Sequence, residues 1–151
     1  MRTRTSATDP IKISEIQHPD HSGVIGVTIC PGKKAPSTFG GTWNRNLGQD
    51  LELIRNEFAP KAIVTLMPGY ELAESGVPEL GQSVSGLGMR WYHLPIYDME
   101  APDKEFGESW AKALPKILGV IRKGGNVLVH CRGGLGRSGT VAAVLLKRQA
   151  L

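Results

Sequence analysis

Short apolar runs alternate with amphipathic segments along most of the chain. The runs are rich in β-branched and aliphatic residues, which is typical of buried strands. We predict strands at residues 24–29, 62–67, 89–94 and 126–129. Other hydrophobic positions recur at helical spacing, and we predict helices at residues 47–58, 71–73, 78–87, 106–121 and 141–149. This alternation predicts an α/β fold, with a mostly parallel central sheet flanked by helices on both faces.

Two parts of the chain lack these patterns. Residues 1–21 are polar and contain Pro10 and Pro19, so we predict a loosely docked arm, with one domain over residues 22–151. The short tract 18–21 holds two histidines and an aspartate but no framework to fix metal geometry, and we expect no metal there. Residues 31–46 form a long Gly- and Pro-bearing segment, and loops of this length in a compact domain are often functional.

Composition and charge restrict the classes of function. The 151-residue chain is 40% hydrophobic and 21% charged, which is ordinary for one globular domain. Its net charge of +4 suits an acidic substrate, and no run of basic residues alternates with aromatics, so we predict no nucleic-acid partner. No segment has the apolar length of a membrane span. Two cysteines make no disulfide framework, and a free reactive thiol implies a reducing compartment, so we predict a cytoplasmic location.

The most specific chemistry lies in the turn between the last predicted strand and the last helix. It reads His130-Cys131-Arg132-Gly133-Gly134-Leu135-Gly136-Arg137-Ser138. A Gly-rich turn from a strand end to a helix start directs successive backbone N–H groups at one point, and the helix dipole adds positive potential there. We therefore predict an anion site, with backbone donors from Arg132, Gly133, Gly134, Leu135, Gly136 and Arg137.

The side chains of this turn predict nucleophilic chemistry around the anion. Five residues separate Cys131 from Arg137, so the guanidinium can face the sulfur and hold two anion oxygens. A sulfur at a helix N-terminus, among N–H donors, is expected to be a thiolate at neutral pH. Ser138 can donate a hydrogen bond to that sulfur. His130 is expected to point away from the anion and tie the loop to neighbouring backbone.

The turn resembles the His-Cys-x5-Arg-Ser/Thr signature of protein tyrosine and dual-specificity phosphatases. A second segment, 94–103, reads Leu-Pro-Ile-Tyr-Asp-Met-Glu-Ala-Pro-Asp and is similar to the mobile general-acid loop of those enzymes. Together with residues 30–34 and 45–51, it looks most like the cyclin-dependent kinase-associated phosphatase branch. The resemblance covers roughly residues 22–149 and implies a protein tyrosine phosphatase-like fold. Those phosphatases carry further helices after this point, so we expect a chain truncated at its C-terminus.

The resemblance implies a phosphatase that uses neither a metal nor a cofactor. Cys131 would be the nucleophile, Arg137 would hold the phosphoryl oxygens, and Ser138 would stabilise the leaving thiolate. Asp98 would act first as general acid and then as general base. Asp103 is the alternative acid, or a helix N-cap. The implied substrate is a phosphorylated protein or peptide, with phosphotyrosine, phosphoserine and phosphothreonine all allowed.

Several alternatives stay open at this point. A phosphoinositide phosphatase would carry lysines inside the loop, where this chain has one basic residue, Arg132. A catalytically weak phosphate-binding module would keep the same residues. A nucleotide-binding P-loop is rejected, because it needs a lysine that the turn lacks. Two roles are open for Lys33, Lys34 and Arg45: they line the cleft, or they lie at the surface or in a structural contact. Whether Cys30 and Cys131 form a disulfide under oxidation is also open, as is the oligomeric state.

Overall fold

A five-stranded sheet forms the centre of the fold. The computed structural model describes residues 2–36, 40–97, 104–133 and 136–147. Its strands are β1 (Thr3–Arg4), β2 (Ser14–Gln17), β3 (Val24–Thr28), β4 (Lys34–Pro36), β5 (Thr42–Asn44), β6 (Pro60–Thr65), β7 (Arg90–His93) and β8 (Asn126–His130). The central sheet has the order β2-β3-β8-β6-β7, and a smaller sheet has the order β1-β5-β4.

In the described ranges, five α-helices connect and cover these strands. They are α1 (Leu47–Leu53), α2 (Gly69–Glu74), α3 (Leu80–Gly86), α4 (Lys104–Arg122) and α5 (Gly136–Lys147). A π-helical turn, Ile54–Phe58, continues α1. The side chain of Asn46 caps α1 by accepting a hydrogen bond from the N–H of Gln49 at 2.8 Å. The apolar stripe predicted for residues 47–58 is buried along its length.

The central sheet divides the hydrophobic core into two layers, because successive strand residues point to opposite faces. On β6, Val64 packs in the layer covered by α4 and α5, whereas Ile63 packs in the layer covered by α1 and α3. On β8, Val129 and Leu128 divide in the same way. This arrangement confirms the α/β fold class with helices on both faces.

Four of the five central strands are parallel, as predicted. β3, β8, β6 and β7 pair in parallel, and β2 pairs antiparallel with β3. β2 comes from the segment that the sequence assigned to a loosely docked arm. The prediction of a loosely docked arm is therefore wrong for residues 14–17, because their backbone groups extend the main sheet. The division into an arm over 1–21 and a domain over 22–151 stays a prediction.

The long segment 31–46 carries two strands rather than an irregular loop. β4 and β5 pair antiparallel within it, and β1 adds to β5 in parallel. Sequence periodicity missed these strands because each is three residues long or shorter. The small sheet brings the N-terminal residues beside the segment that follows Cys30, and it therefore forms one side of the region around the β8–α5 turn.

Candidate active site

The β8–α5 turn lies at the carboxyl edge of the central sheet. β8 runs between β3 and β6, and His130 is in register with Thr28 on one side and Thr65 on the other. The N–H of Cys30 donates to the carbonyl of Arg132 at 3.4 Å, which ties the turn to the end of β3. Ligand sites of open α/β sheets occupy this edge.

Cys131 is the first residue after β8, and only 3% of its surface is exposed. Gly133, two positions further, is exposed, and α5 begins at Gly136. Gly134 and Leu135, both predicted to bind phosphate, lie outside the described residues. The described part of the turn thus places the thiol between the end of a buried strand and the N-terminus of a twelve-residue helix, the setting that the sequence predicted for an anion site.

His130, the last residue of β8, anchors the turn to the sheet, and its side chain points away from the turn. Its Nε2 lies 2.7 Å from Thr65 Oγ1, and its Nδ1 lies 3.3 Å from the carbonyl oxygen of Cys131. A carbonyl only accepts, so the ring proton is assigned to Nδ1, and Nε2 accepts from the Thr65 hydroxyl. Trp91 Nε1 donates to the same hydroxyl oxygen at 2.7 Å. Burial lowers the pKa of His130 to about 4, so the ring is neutral and acts as a fixed link.

Arg137 is held by a carboxylate that comes from another part of the sequence. Its two terminal nitrogens donate to Glu71 Oε1 at 3.0 Å and Oε2 at 2.9 Å, and NH1 also donates to the carbonyl of Ile96 at 2.6 Å. Both side chains of the ion pair are buried, at 9% and 2% exposure. A bidentate pair of this kind fixes the plane of the guanidinium as well as its position.

Sequence reasoning missed Glu71 as a site residue and placed it only at the start of a short helix. One signal was present: α2 follows β6, and β6 is the immediate neighbour of β8 in the sheet. A carboxylate just beyond the carboxyl end of a neighbouring parallel strand lies close to the turn. The strand order that makes β6 and β8 neighbours cannot be obtained from periodicity.

Ser138 occupies the third position of α5 and is fully buried. Its Oγ has no hydrogen-bond partner among the described residues. An unpaired buried hydroxyl costs about 1–3 kcal/mol, and such groups persist where a function requires them. The predicted hydrogen bond from Ser138 to the sulfur is not formed in the structure, and its role stays a prediction.

Lys33 approaches the turn from the small sheet. Its Nζ donates to the carbonyl of Arg132 at 3.4 Å and lies 5.6 Å from the centre of the Trp43 ring. Half-burial lowers the pKa of Lys33, and the neighbouring Arg132 lowers it further, while Cys30 and Cys131 oppose this effect. Of the three basic residues that could line the cleft, Lys33 is the one that contacts the turn.

Arg45 and Lys34 serve the structure. Arg45 is fully buried and donates from Nε and NH2 to the two oxygens of Asp50, at 2.9 and 3.1 Å. Asp50 Oδ2 also accepts from the N–H of Gly32 at 2.8 Å. Lys34 Nζ donates to the carbonyl of Gly32 at 3.0 Å. The Arg45–Asp50 pair therefore fixes the segment that carries Lys33 against α1.

Two exposed tyrosines lie next to the anchors of Arg137. Tyr70 precedes Glu71 and is 54% exposed, and Tyr97 follows Ile96 and is 45% exposed. Their rings are stacked, with centroids 6.1 Å apart and an interplanar angle of 22°. The sequence did not single them out, because exposed aromatic residues are recognised only once the fold is known. The stacked rings therefore form an exposed aromatic surface next to Glu71 and Ile96, the two residues that hold Arg137.

The two candidate acids, Asp98 and Asp103, lie outside the described residues, and their roles stay predictions. Both cysteines are free and buried, and burial raises the pKa of Cys30 to about 12. No three His, Cys, Asp or Glu side chains of the described ranges are grouped as metal ligands would be. In the same part of the chain, no helix is long and apolar enough to cross a membrane.

Comparison with known proteins identifies the family and two groups of relatives. Residues 43–150 match the family model described as polymorphic toxin system, DSP-PTPase phosphatase. Cyclin-dependent kinase inhibitor 3 of Rattus norvegicus is 31% identical over 139 residues, which are 91% of this chain and 61% of that protein. The protein of the same name from Homo sapiens is 30% identical, with the same coverage. The chain thus spans about three fifths of the length of these curated relatives.

Two solved structures share the fold. A kinase-associated phosphatase, with its catalytic-site cysteine replaced by serine, matches with a TM-score of 0.78 and 28% identity, over 91% of this chain and 74% of that one. A mutant form of Tk-PTP matches with a TM-score of 0.60 and 26% identity, over 88% and 70% of the two chains. Since the family model spans well over half of the sequence, the chain belongs to the DSP-PTPase phosphatases, in the branch of the kinase-associated phosphatases.

Proposed function

We propose that this chain is a cysteine-dependent phosphatase that hydrolyses phosphate monoesters on proteins through a cysteinyl-phosphate. The observation that carries this proposal is the bidentate pair between Arg137 and Glu71 at the sheet edge where Cys131 follows β8. A guanidinium fixed in one plane beside a nucleophile suits the stabilisation of phosphoryl oxygens in the transition state. The family to which the chain belongs supports the same chemistry.

The first half of the proposed reaction transfers the phosphoryl group to the enzyme. The thiolate of Cys131 attacks phosphorus in line with the ester oxygen, and the phosphorus–oxygen bond breaks as the phosphorus–sulfur bond forms. Asp98 gives its proton to the departing oxygen, so the alcohol or phenol leaves neutral. The guanidinium of Arg137 and the backbone N–H groups from Arg132 to Arg137 hold the three other phosphoryl oxygens.

The second half returns the enzyme to its starting state. A water molecule attacks the phosphorus of the cysteinyl-phosphate, and Asp98, now a carboxylate, takes a proton from that water. The phosphorus–sulfur bond breaks and inorganic phosphate leaves. Ser138 donates its hydroxyl proton in a hydrogen bond to the departing thiolate. The buried and otherwise unpaired Ser138 hydroxyl supports this assignment, because the step would give it a partner.

A protein substrate fits the site better than a phosphoinositide. Between Cys131 and Arg137, the described part of the turn carries one basic side chain, Arg132, and an exposed pair of stacked rings adjoins the two residues that hold the guanidinium. The flat faces of Tyr70 and Tyr97 suit the side chains of a peptide that flank a phosphorylated residue. Phosphotyrosine, phosphoserine and phosphothreonine are all part of the proposal, and relatives named for cyclin-dependent kinases make a phosphorylated kinase one candidate.

Because the mechanism needs a free thiolate, we infer a reducing compartment and propose that the protein acts in the cytoplasm. Because a thiolate is readily oxidised, Cys131 would lose its nucleophilic sulfur in an oxidising compartment. The net charge of +4 suits a phosphorylated protein partner and does not require nucleic acid.

Hydrolysis of para-nitrophenyl phosphate in the presence of a chelator tests the proposal. We expect turnover by the wild type, none by Cys131→Ser, and a reduction of about 100-fold or more by Asp98→Asn. Asp103→Asn is the matched control and should retain most of the activity. Turnover that survives Cys131→Ser would rule out the nucleophile, and a wild type that binds phosphate without turnover would make the chain a binding module.

A further inference from the structure

A second basic region lies at the opposite end of the sheet from Cys131. A cavity of about 530 Å³ opens there between the first residues of β6 and β7 and the last turns of α4. Its cationic side chains are Lys61, Arg90, Lys116 and Lys123, and no acidic residue lines it. Gly125, at its edge, directly precedes β8, and Cys131 directly follows β8 six residues later, which places the two regions roughly 20 Å apart.

The four cations converge on this cavity because of the geometry of the elements that carry them. Lys116 lies in the second half of α4, and Lys123 directly follows the last residue of α4, seven positions and about two helical turns later, so both side chains reach the same cavity. Arg90 is paired in register with Ala62, the residue that follows Lys61, and the side chains of Arg90 and Lys61 both line the cavity. The aliphatic part of Lys61 packs against Gly125, where a Cβ would lie 3.0 Å from its Cγ.

None of these four cations is used by the fold. They form no salt bridge or side-chain hydrogen bond with any residue that the structure describes. Lysines near a helix C-terminus often bond to the last carbonyls. Here the backbone N–H groups of residues 123, 124 and 125 already donate to the carbonyls of 119, 121 and 120. The four positive charges therefore face an open cavity with no internal counter-charge.

We infer that this cavity binds an acidic segment of the phosphoprotein on which the active site acts, an inference that rests on the proposed function. Carboxylate or phosphate groups of such a segment would supply the missing counter-charges. A polypeptide suits the lining, because Gly88 and Gly119 leave open space and no aromatic side chain is available for base stacking. The distance to Cys131 requires at least about six extended residues between the acidic segment and the phosphorylated one.

Fluorescence anisotropy of a labelled oligoglutamate peptide tests the site directly. Orthovanadate is kept in excess to occupy the catalytic turn, and the peptide has no phosphate, so binding is independent of turnover. We expect Lys116→Glu/Lys123→Glu to weaken binding at least about tenfold. Arg55→Glu/Lys147→Glu is the control, since it reverses two exposed cations outside the cavity and gives the same net charge. Its expected loss is less than about threefold.

Gly119→Leu provides a test that leaves the charge unchanged. A Cβ at Gly119 meets no atom within 4 Å, and leucine favours a helix more than glycine does, so the variant should fold. Its side chain would fill part of the cavity, and we expect weaker peptide binding with unchanged hydrolysis of para-nitrophenyl phosphate. This variant also tests whether the peptide binds in the cavity if Lys116→Glu/Lys123→Glu fails to fold.

Three results would overturn the inference. Equal losses of peptide affinity in the two charge-reversed variants would mean that binding depends on the net charge of the protein alone. Unchanged binding by Gly119→Leu would place the peptide outside the cavity. A single-stranded oligonucleotide that binds more tightly than the peptide, and loses that binding in Lys116→Glu/Lys123→Glu, would make nucleic acid the occupant. A wild type with no phosphatase turnover that still binds the peptide in the cavity would instead refute the proposed function alone.

Discussion

Arg137 and Glu71 form two parallel hydrogen bonds, at 3.0 and 2.9 Å, although 66 positions separate them in the sequence. Glu71 belongs to the helix that follows β6, and Arg137 to the helix that follows β8. The parallel pairing of these two strands brings the two helix starts together. The carboxylate therefore acts on catalysis through the guanidinium that it orients, and we class Glu71 as a positioning residue.

We expect Glu71→Gln to lower kcat for para-nitrophenyl phosphate by about 10- to 100-fold, because a small displacement of a catalytic group has effects of this size. The amide keeps the shape of the side chain but cannot accept both guanidinium hydrogen bonds. Steady-state kinetics measures the loss, and Glu74→Gln, on the exposed side of the same helix, is the control. A kcat equal to that of Glu74→Gln would show that Arg137 needs no orientation by Glu71.

The Arg45–Asp50 pair predicts a large effect on stability. Both side chains are 1% exposed, and removal of one partner leaves a buried charge without compensation. We expect Asp50→Ala and Arg45→Ala each to lower the free energy of unfolding by about 3–5 kcal/mol. The double variant should lose less than the sum of the two, which urea unfolding of all four proteins measures. Strict additivity would mean that the two side chains act independently.

Alkylation should distinguish the two cysteines. Burial raises the pKa of Cys30 to about 12, so this residue is a thiol at neutral pH and reacts slowly. We expect iodoacetamide to modify Cys131 in the native protein, phosphate or orthovanadate to protect it, and Cys30 to react only after unfolding. Mass spectrometry of digested samples gives the two rates. Comparable rates in the native state would contradict both the burial of Cys30 and the thiolate assigned to Cys131.

The local chemistry of the turn could be predicted from sequence because its residues are contiguous. Cys131, Arg137 and Ser138 lie within eight positions, and a strand–turn–helix pattern fixes their approximate arrangement. The fold class followed in the same way, since the four parallel strands of the central sheet and the helices that cover them carry their own hydrophobic patterns. Even the orientation of His130, away from the face on which Cys131 lies, follows from alternation along a buried strand.

What the sequence could not provide depends on contacts between distant segments. Glu71 meets Arg137, and Asp50 holds Arg45, only because the sheet order and the path of the 31–46 segment are already set. The strands in that segment are too short for a period to be visible. β2 escaped notice for a different reason: it is an edge strand with mostly exposed side chains, so polar residues there carry no sign of burial.

His130, the buried histidine at the end of β8, predicts a pH dependence of the free energy of unfolding. Burial lowers the pKa of His130 to about 4, below the value of about 6.5 expected in the unfolded chain. Protons therefore bind the unfolded state preferentially between these values, and stability is lost as the pH falls from about 6.5 towards 4. The shift corresponds to roughly 3 kcal/mol at the acidic end.

Urea unfolding of the wild type and His130→Gln at several pH values between 7.5 and 4 measures this contribution. Carboxylates that titrate in the same range affect both proteins, so the difference between the two profiles isolates His130. We expect the variant to be less stable at pH 7.5, because the hydrogen bond to Thr65 changes, and to lose less stability on acidification. Parallel profiles for His130→Gln and the wild type would mean that folding does not lower the pKa of His130, and the assignment of a buried ring that stays neutral on acidification would then be wrong.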